Sequence, residues 1–312
     1  MGPRVAQLVV VGSVNMDLTM PLAHLPQSGQ TLLGGDTRWG PGGKGANQAV
    51  AAARLGVDVA FVGAVGSDHF ATTLRQALTD EGVDVSQLID LKEKASGLAL
   101  ILSTAGGEST ILVSPGANGQ LSPDQIDALA GLGFLGASIL ACQLEIPHPI
   151  AELAMIKARQ AGLKVFLDPS PAEGVAAKLV GRADLVTPNR VEATALTGIA
   201  VTDFASAGAA GKKLLALGAG AAVVKLGHEG SVLVSARLVE TIPAHQVTTV
   251  DATAAGDAFS GGLVAATLQG ADLVEACRYA TAVAAVAVTR PGAMTSLPHR
   301  SEVTAKPVHR GA

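Results

Sequence analysis

The sequence predicts an α/β protein in which helices cover both faces of a doubly wound, mostly parallel β-sheet. From about residue 137 to 287, short apolar runs typical of strands alternate with longer helical segments. The first run, residues 6–13, is apolar and strand-like, as a parallel strand covered on both faces must be. Two further strand-like segments, 97–103 and 109–114, flank a glycine-containing turn at 104–107, which predicts a hairpin.

The first half of the chain is predicted to mix strands, helices and turns. Residues 21–40 are rich in turn-forming residues, and the order Ser122-Pro123-Asp124-Gln125 has the spacing of a capping box with proline at the first helical position. After the strand at 6–13, the predicted elements are strand-like pieces around 31–33 and 37–39, an Ala-rich helix ending near 55, a strand at 57–65, an amphipathic helix at 69–81, the two hairpin strands, and a helix at 122–131.

The second half follows a regular pattern of alternating elements. The predicted order is a strand at 137–143, a helix at 149–161, a strand at 164–167, a helix near 172–180, a strand at 184–186, helices at 189–197 and 204–217, a strand at 221–226, strands around 231–235 and 239–242, and two closing helices. Prolines and charges after residue 298 suggest an exposed, disordered tail at about 299–312.

The composition excludes several classes of protein. The 312 residues are 48% hydrophobic but only 3% aromatic, so Ala, Val and Leu must fill the interior. A net charge of −4 without a Lys/Arg run argues against a nucleic-acid partner. The apolar run at 8–14 is too short for a membrane span or a signal sequence. Because Cys142 and Cys277 fall in segments that are predicted to be buried, we expect reduced cysteines and a cytoplasmic protein.

Polar residues follow several of the predicted strands. Asn15 and Asp17 follow the first strand, Glu145 follows the strand at 137–143, and Asp168 follows the strand at 164–167. Ligands of open α/β proteins bind at the carboxyl ends of the strands, so these side chains are candidates for ligand binding. For Asn15 and Asp17 the alternative is a simple turn.

Two glycine-rich segments resemble nucleotide motifs without matching them. In 40–47 the residue after Lys44 is glycine instead of Ser or Thr, so the segment is not a Walker A loop. Its Lys44 and Asn47, at the start of a helix, better suit hydrogen bonds to a neutral polyol. The GxGxxG spacing at 131–136 lies between a helix and a strand, whereas a dinucleotide site needs a strand followed by a helix.

The segment 250–262 predicts an anion site. A turn of small residues runs into an apolar helix, and the N–H groups and dipole at the start of such a helix suit a phosphoryl group. Gly256 permits close approach of a ligand, and the carboxylate of Asp257 can accept a hydroxyl proton. The alternative is that Asp257 only completes the first helical turn.

Three blocks of sequence together resemble the PfkB family of carbohydrate kinases, and within that family the match is closest to the ribokinase branch. The blocks are Asn15-Met16-Asp17, residues 42–47 with the sequence GGKGAN, and 251–257 with its Ala-Ala-Gly-Asp core. The similarity extends to about Leu297. It implies one ribokinase-like domain over 1–312 with a small β lid at about 18–40 and 96–115. The lid covers the sugar and pairs with a second subunit, so a homodimer is expected.

The resemblance implies ATP-dependent phosphorylation of the primary 5-hydroxyl of D-ribose, giving ribose 5-phosphate and ADP. Asp257 is then the base, and Ala254, Ala255 and Gly256 form the anion hole for the phosphoryl group. Alternatives within the family are fructokinase, deoxyribokinase, ketodeoxygluconate kinase and nucleoside kinase. A non-catalytic sugar-binding regulator is an alternative of another class.

The resemblance also assigns ligand-binding residues in this chain. The sugar contacts are Asn15, Asp17, Gly43, Lys44, Asn47, Glu145 and Asp257. The ATP contacts are Asn189, Lys225, Gly227, Glu229, Gly230, Gly256 and Thr281, with Mg²⁺ near Glu192. A K⁺ ion or similar monovalent cation is expected at Asp251, Thr253, Ala287, Arg290, Gly292 and Ser296, because an all-oxygen shell suits such an ion.

Overall fold

The computed structural model describes residues 5–104, 109–175 and 177–304. The strands in these ranges are β1 (Leu8–Val11), β2 (Asn15–Leu22), β3 (Arg38–Gly42), β4 (Val59–Val65), β5 (Asp84–Asp90), β6 (Gly97–Thr104), β7 (Ser109–Ser114), β8 (Ile139–Cys142), β9 (Lys164–Leu167), β10 (Leu185–Val186), β11 (Ala221–Lys225), β12 (Gly230–Ser235) and β13 (Val239–Pro243). The α-helices are α1 (Lys44–Arg54), α2 (His69–Asp80), α3 (Pro123–Gly131), α4 (His148–Gln160), α5 (Ala177–Val180), α6 (Arg190–Thr197), α7 (Phe204–Ala216), α8 (Ala255–Leu268) and α9 (Leu273–Ala287).

The larger sheet confirms the predicted doubly wound architecture. Its strand order is β13-β12-β11-β10-β9-β8-β1-β4-β5. The pairs from β5 to β11 are parallel, and the two pairs from β11 to β13 are antiparallel. The chain order reverses beside β1, which pairs with β4 on one side and β8 on the other. Such a reversal opens a crevice at the carboxyl ends of the strands, and ligands bind there in open α/β folds.

Each face of this sheet supports its own apolar core. Along β1, Val10 packs into a core with α1, α2, α8 and α9, while Val9 and Val11 pack into a core with α3, α4, α6 and α7. All three valines are fully buried. Because side chains alternate between the faces of a strand, a strand that is covered on both faces must be apolar throughout.

A second sheet of four strands has the order β3-β2-β6-β7 within the described residues. Its strand β2 begins at Asn15, and only three residues separate it from the end of β1 at Val11. Asn15 and Asp17 are therefore strand residues, and the alternative of a simple turn is wrong. Strands β6 and β7 pair antiparallel as the predicted hairpin, although residues 105–107 of its predicted turn lie outside the described residues.

The structure differs from the sequence prediction at several further places. Residues 31–33 form no strand, and Leu33 is exposed, because no neighbouring strand pairs with this segment. Strand β5 was not predicted, since Leu88 is its only buried residue and the apolar signal is weak. The predicted tail begins with a short 3-10 helix at Arg300–Glu302, which an ion pair with Arg290 holds in place. Residues 305–312 of that tail lie outside the described residues.

Helices α1 and α8 cross at close range because small residues face each other. A Cβ atom at Gly261 of α8 would lie 2.4 Å from the Cβ of Ala51 and 3.0 Å from the backbone nitrogen of Ala52 on α1. Contacts at these distances require one helix to move. The absence of a side chain at Gly261 therefore sets the separation of the two helices that carry the candidate site.

No helix within the described ranges combines the length and apolar character that crossing a membrane requires.

We expect Gly261→Ala to lower the free energy of unfolding by about 1–3 kcal/mol, because the added methyl group overpacks the contact with α1. The matched control is Gly131→Ala at the end of α3, where no described atom lies within 4 Å of the new Cβ. The control should be neutral or stabilise the protein by up to about 1 kcal/mol. Urea unfolding of both variants measures the difference, and equal stabilities would contradict the proposed packing constraint.

Candidate active site

The predicted polar residues converge where the carboxyl ends of the central strands meet the N-termini of α1 and α8. Glu145 and Asp168 follow β8 and β9, and Lys225 ends β11. Lys44 and Asn47 lie in the first turn of α1, and Asp257 lies in the first turn of α8. This is the crevice that the strand order predicts.

Asp257 is buried, with 4% of its surface exposed. Its carboxylate accepts hydrogen bonds from Asn47 Nδ2 at 3.0 Å and from Gln48 Nε2 at 3.1 Å. The N-cap of α8 is Ala254, and no side chain caps this helix. Asp257 is therefore held by side chains of α1 and does not cap its own helix. The alternative that Asp257 only completes the first turn of α8 is wrong.

The backbone before Asp257 is strained. Ala254 has φ = 58°, in the left-handed region that residues other than glycine rarely adopt. This conformation begins α8 abruptly at Ala255. The first N–H groups of a helix have no intrahelical partner, so the predicted anion-hole residues Ala254, Ala255 and Gly256 stand at a site that suits an anion.

The pKa of Asp257 is raised to about 6, chiefly by burial. The positive charge of Lys44 opposes the increase, the charge of Asp168 adds to it, and the amides of Asn47 and Gln48 oppose it. The carboxyl group is thus mostly ionised at neutral pH but close to its titration range. A group with these properties is a suitable general base near neutral pH.

Glu145 organises a second group of polar residues beside Asp257. Its Oε2 atom accepts hydrogen bonds from Ser13 Oγ at 2.6 Å, from the backbone N–H of Lys44 at 3.2 Å and from Asn15 Nδ2 at 3.3 Å. Asn118 in turn donates to Asn15 Oδ1 at 2.8 Å. The orientations of Glu145 and Asn15 are therefore fixed before any ligand binds.

Two oxygen atoms beside this group have no partner among the described residues. They are Oδ1 of Asp17 and Oδ1 of Asn47, and both are buried. Burial, followed by the charges of Glu145 and Asp257, raises the pKa of Asp17 to about 8. Buried polar atoms are normally paired, so unpaired oxygens of this kind fit a ligand that brings its own hydroxyl groups, which both donate and accept hydrogen bonds.

Glycines make room for these side chains. A Cβ at Gly42 would lie 2.1 Å from Asp17 Oδ2. Gly43, the N-cap of α1, has φ = 91°, and a Cβ there would lie 2.7 Å from the backbone nitrogen of Asn15. The glycines of the GGKGAN block therefore allow α1 to begin directly against β2.

Lys44 remains cationic in this acidic surrounding. Burial lowers the pKa of its ammonium group, but nearby carboxylates outweigh that effect and raise the pKa above its usual range. In decreasing order of effect, they belong to Asp257, Asp168, Glu145 and Glu192.

Lys225 provides a second positive charge at the start of α8. Its Nζ atom lies 3.4 Å from Asp168 Oδ1 and 3.3 Å from the position that a Cβ of Gly256 would occupy. The structure therefore brings Lys225 and Gly256, two of the predicted ATP contacts, together.

Asn189 and Glu192 form a capping box at the start of α6. Glu192 donates its N–H to Asn189 Oδ1 at 3.0 Å, and Glu192 Oε2 accepts the N–H of Asn189 at 2.7 Å. Glu192 is 7% exposed. Within the described residues, no group of three or more His, Cys, Asp or Glu side chains could hold a metal ion. A single carboxylate fits Mg²⁺ that arrives with phosphate ligands.

The remaining predicted ATP contacts are less closely grouped. Gly227 and Glu229 form a 3-10 turn after β11, and Gly230 follows it at the start of β12. Glu229 pairs with Arg190 of α6. Thr281 lies on α9, where its hydroxyl donates to the carbonyl of Cys277 at 2.8 Å, so its hydrogen bond stays within that helix.

Two of the predicted cation ligands, Thr253 and Gly292, contact a third, Asp251. Its carboxylate accepts hydrogen bonds from Thr253 Oγ1 at 2.6 Å, from Thr253 N at 2.8 Å and from Gly292 N at 2.9 Å. Ala287 ends α9 nearby, while Arg290 pairs with Glu302. Ser296 is fully buried and donates to the carbonyl of Ala293 at 2.8 Å. One carboxylate thus ties together the two segments that carry these residues.

The sequence reasoning missed the amide and hydroxyl groups that support the predicted residues. Gln48 directly follows Asn47, and its Nε2 donates to both Asp168 Oδ2 at 2.9 Å and Asp257 Oδ1. Asp168 was recognised at a strand end but not assigned to the site. The other supporting residues are Ser13, Asn118 and Gln143.

Comparison with known proteins agrees with this geometry. The family model described as pfkB family carbohydrate kinase matches residues 5–300. The chain is 37% identical to a ribokinase of Haemophilus influenzae, covering 95% of this chain and 96% of that protein. It is 32% identical to a deoxyribokinase of Salmonella typhi, covering 93% and 95%.

Among solved structures, the ribokinase of Arabidopsis thaliana in complex with ribose and ATP superposes with a TM-score of 0.83. The two chains are 32% identical, and the match covers 96% of this chain and 97% of the other. The resemblance seen in the three sequence blocks is confirmed along nearly the whole sequence, and this chain belongs to the PfkB family of carbohydrate kinases.

Proposed function

We propose that this protein transfers the γ-phosphoryl group of ATP to the primary 5-hydroxyl of D-ribose, giving ribose 5-phosphate and ADP. The observation that carries this proposal is the buried carboxylate of Asp257, held by two amides at the start of α8. The ribokinases among the similar proteins support ribose as the acceptor.

The sugar binds between β2 and α1. The unpaired oxygens of Asp17 and Asn47 form hydrogen bonds with sugar hydroxyls, and Asn15 and Glu145 are already oriented for further contacts. Gly43 allows the ring to approach the backbone, and Lys44 donates to ring hydroxyls. A sugar that lacks one of these hydroxyls leaves a buried polar atom unpaired, and the site therefore discriminates against it.

Asp257 accepts the proton of the sugar 5-hydroxyl as the hydroxyl oxygen attacks the γ-phosphorus of ATP. The bond from this phosphorus to the β,γ-bridging oxygen breaks at the same time. The N–H groups around Ala255 and Gly256 bind the transferring group, and Lys225 adds positive charge beside them. Phosphoryl transfer depends mainly on positioning and charge stabilisation, which these groups supply.

ATP lies along the carboxyl ends of β10 and β11, with Asn189, Lys225, Gly227, Glu229, Gly230, Gly256 and Thr281 as its contacts. Mg²⁺ enters with the nucleotide near Glu192, whose Oε2 is oriented by the N–H of Asn189. The ion neutralises phosphate charge when bound.

A monovalent cation such as K⁺ binds next to the anion hole, at Asp251, Thr253, Ala287, Arg290, Gly292 and Ser296. Support comes from Asp251, whose carboxylate draws the segments around Thr253 and Gly292 together. An oxygen-rich site with one carboxylate suits this ion. The bound cation stabilises the turn that leads into α8.

The second sheet, with the residues around 18–40 and 96–115, acts as a lid over the sugar within a single domain. Exposed apolar residues on this sheet support a homodimer through the lid, namely Trp39, Ile111 and Leu112, each more than half exposed. Closure of the lid excludes water that competes for the phosphoryl group.

The acceptor is tested by measuring ADP release with Mg²⁺-ATP and K⁺ for D-ribose, 2-deoxyribose, D-fructose, 2-keto-3-deoxygluconate and adenosine. We expect the highest kcat/KM with D-ribose. Preference for 2-deoxyribose would favour the activity of the Salmonella relative. No release with any acceptor would indicate a sugar-binding regulator instead.

We expect Asp257→Asn to lower kcat with D-ribose by about 10²–10⁴-fold, the usual contribution of a general base, while ribose still binds. Turnover and ribose binding by calorimetry are measured together. The matched control is Asp272→Asn, because Asp272 caps α9 away from the site and asparagine caps helices equally well. Near-normal turnover in Asp257→Asn would eliminate this residue as the base.

Replacing K⁺ by Na⁺ or by Tris should lower kcat at saturating Mg²⁺-ATP and ribose, because smaller or larger cations fit the proposed site less well. The rates are compared at equal ionic strength. Asp251→Asn should reduce the response to K⁺. Equal rates in all three salts would reject the cation site without affecting the assignment of Asp257.

A further inference from the structure

The carboxamide of Gln48 lies at the centre of a hydrogen-bonded chain that includes Asp257. Gln48 itself is not among the predicted sugar, ATP or cation contacts. Its Nε2 atom donates to Asp257 Oδ1 at 3.1 Å and to Asp168 Oδ2 at 2.9 Å. Its Oε1 atom accepts from Gln143 Nε2 at 2.5 Å. Gln48 is only 3% exposed.

These contacts allow only one orientation of the amide. The carboxylates of Asp168 and Asp257 accept hydrogen bonds when ionised, so the NH₂ group must face them. The oxygen then faces the donor of Gln143. The Oε1 atom of Gln143 lies against Gly12, directly after β1, where a Cβ would be 2.1 Å away, and it has no hydrogen-bond partner among the described residues. The two carboxylates and the donor of Gln143 together fix the orientation of Gln48.

We propose that Gln48 is a positioning residue that holds the Asp257 carboxylate in its reactive orientation and links it, through Asp168, to Lys225. This inference rests on the proposed role of Asp257 as the base. Asp168 lies 3.4 Å from Lys225 Nζ. One amide therefore connects the group that accepts the proton with a cation beside the phosphoryl site.

The surroundings of Asp257 explain why a neutral donor is needed at this point. The charged groups that face it are Lys44 on α1, Asp168 after β9 and Asp17 on β2. Without the amide, the carboxylates of Asp168 and Asp257 lose the donor that they share, and their repulsion favours protonation of one of them. An amide prevents this without adding charge.

The test compares wild type with Gln48→Met, which keeps the side-chain length and removes the donor. The carboxyl pKa of Asp257 is measured by ¹³C NMR, with the signal identified by its loss in Asp257→Asn, and the pH profile of kcat/KM for ribose is recorded. We expect the pKa of Asp257 to rise by about one unit, and the midpoint of the acid limb of the pH profile to shift upward by the same amount. This is the size expected for loss of a charged hydrogen bond. Activity should fall about tenfold below pH 6 and recover at higher pH.

Ser260→Ala is the matched control, because Ser260 lies one turn after Asp257 and its buried hydroxyl has no partner among the described residues. Its titration and pH profile should match wild type. Gln143→Met removes the donor to the amide oxygen of Gln48. It should shift the pKa of Asp257 and the pH profile in the same direction as Gln48→Met, by a smaller amount. This variant takes the place of Gln48→Met if Gln48→Met does not fold. A uniform loss of kcat with no shift in either measurement would overturn the inference.

If wild type phosphorylates no sugar, the proposed function fails, while the NMR titration still tests the contact between Gln48 and Asp257.

Discussion

The close crossing of α1 and α8 is the constraint on which the site depends. Gly261 lets the two helices approach, so that the amides at the start of α1 reach Asp257 at the start of α8. A buried carboxylate without donors would be neutral at pH 7. Two amide donors and Lys44 hold its pKa to about 6 despite nearly complete burial. Helix packing thus controls the protonation of the candidate base.

Asp257 lies between two groups of polar residues in the site. Carboxylates dominate the side where the hydroxyl-bearing ligand is proposed to bind, and the raised pKa of Asp17 reduces their mutual repulsion. Lys225 lies at the start of α8, where the helix dipole also favours an anion. Asp257 stands between these regions. A proton acceptor at this boundary can reach a hydroxyl on one side, while Lys225 and the first N–H groups of α8 face the proposed phosphoryl site on the other.

The sequence was sufficient for the parallel sheet and for residues whose chemistry is visible locally. Asp17, Glu145 and Asp257 were predicted from strand ends and a helix start, and the fold brings them together. Gln48 could not be found in this way, because a glutamine in an Ala-rich helix resembles a solvent-exposed residue until the partner elements are known. Strand β5 was missed because its pairing with β4, not its own apolar pattern, stabilises it.

The division of the site between elements also explains how related kinases can share a mechanism and differ in acceptor. The groups proposed for phosphoryl transfer lie on α8 and β11, whereas the unpaired oxygens of Asp17 and Asn47 lie on β2 and α1. An unpaired buried oxygen costs about 1–3 kcal/mol, so each hydroxyl that a sugar lacks reduces its binding by about tenfold or more. In the proposed site, acceptor choice depends on which hydroxyls meet these two oxygens. Because Asn47 also donates to Asp257, only the contact at Asp17 can change without altering a group that supports the candidate base.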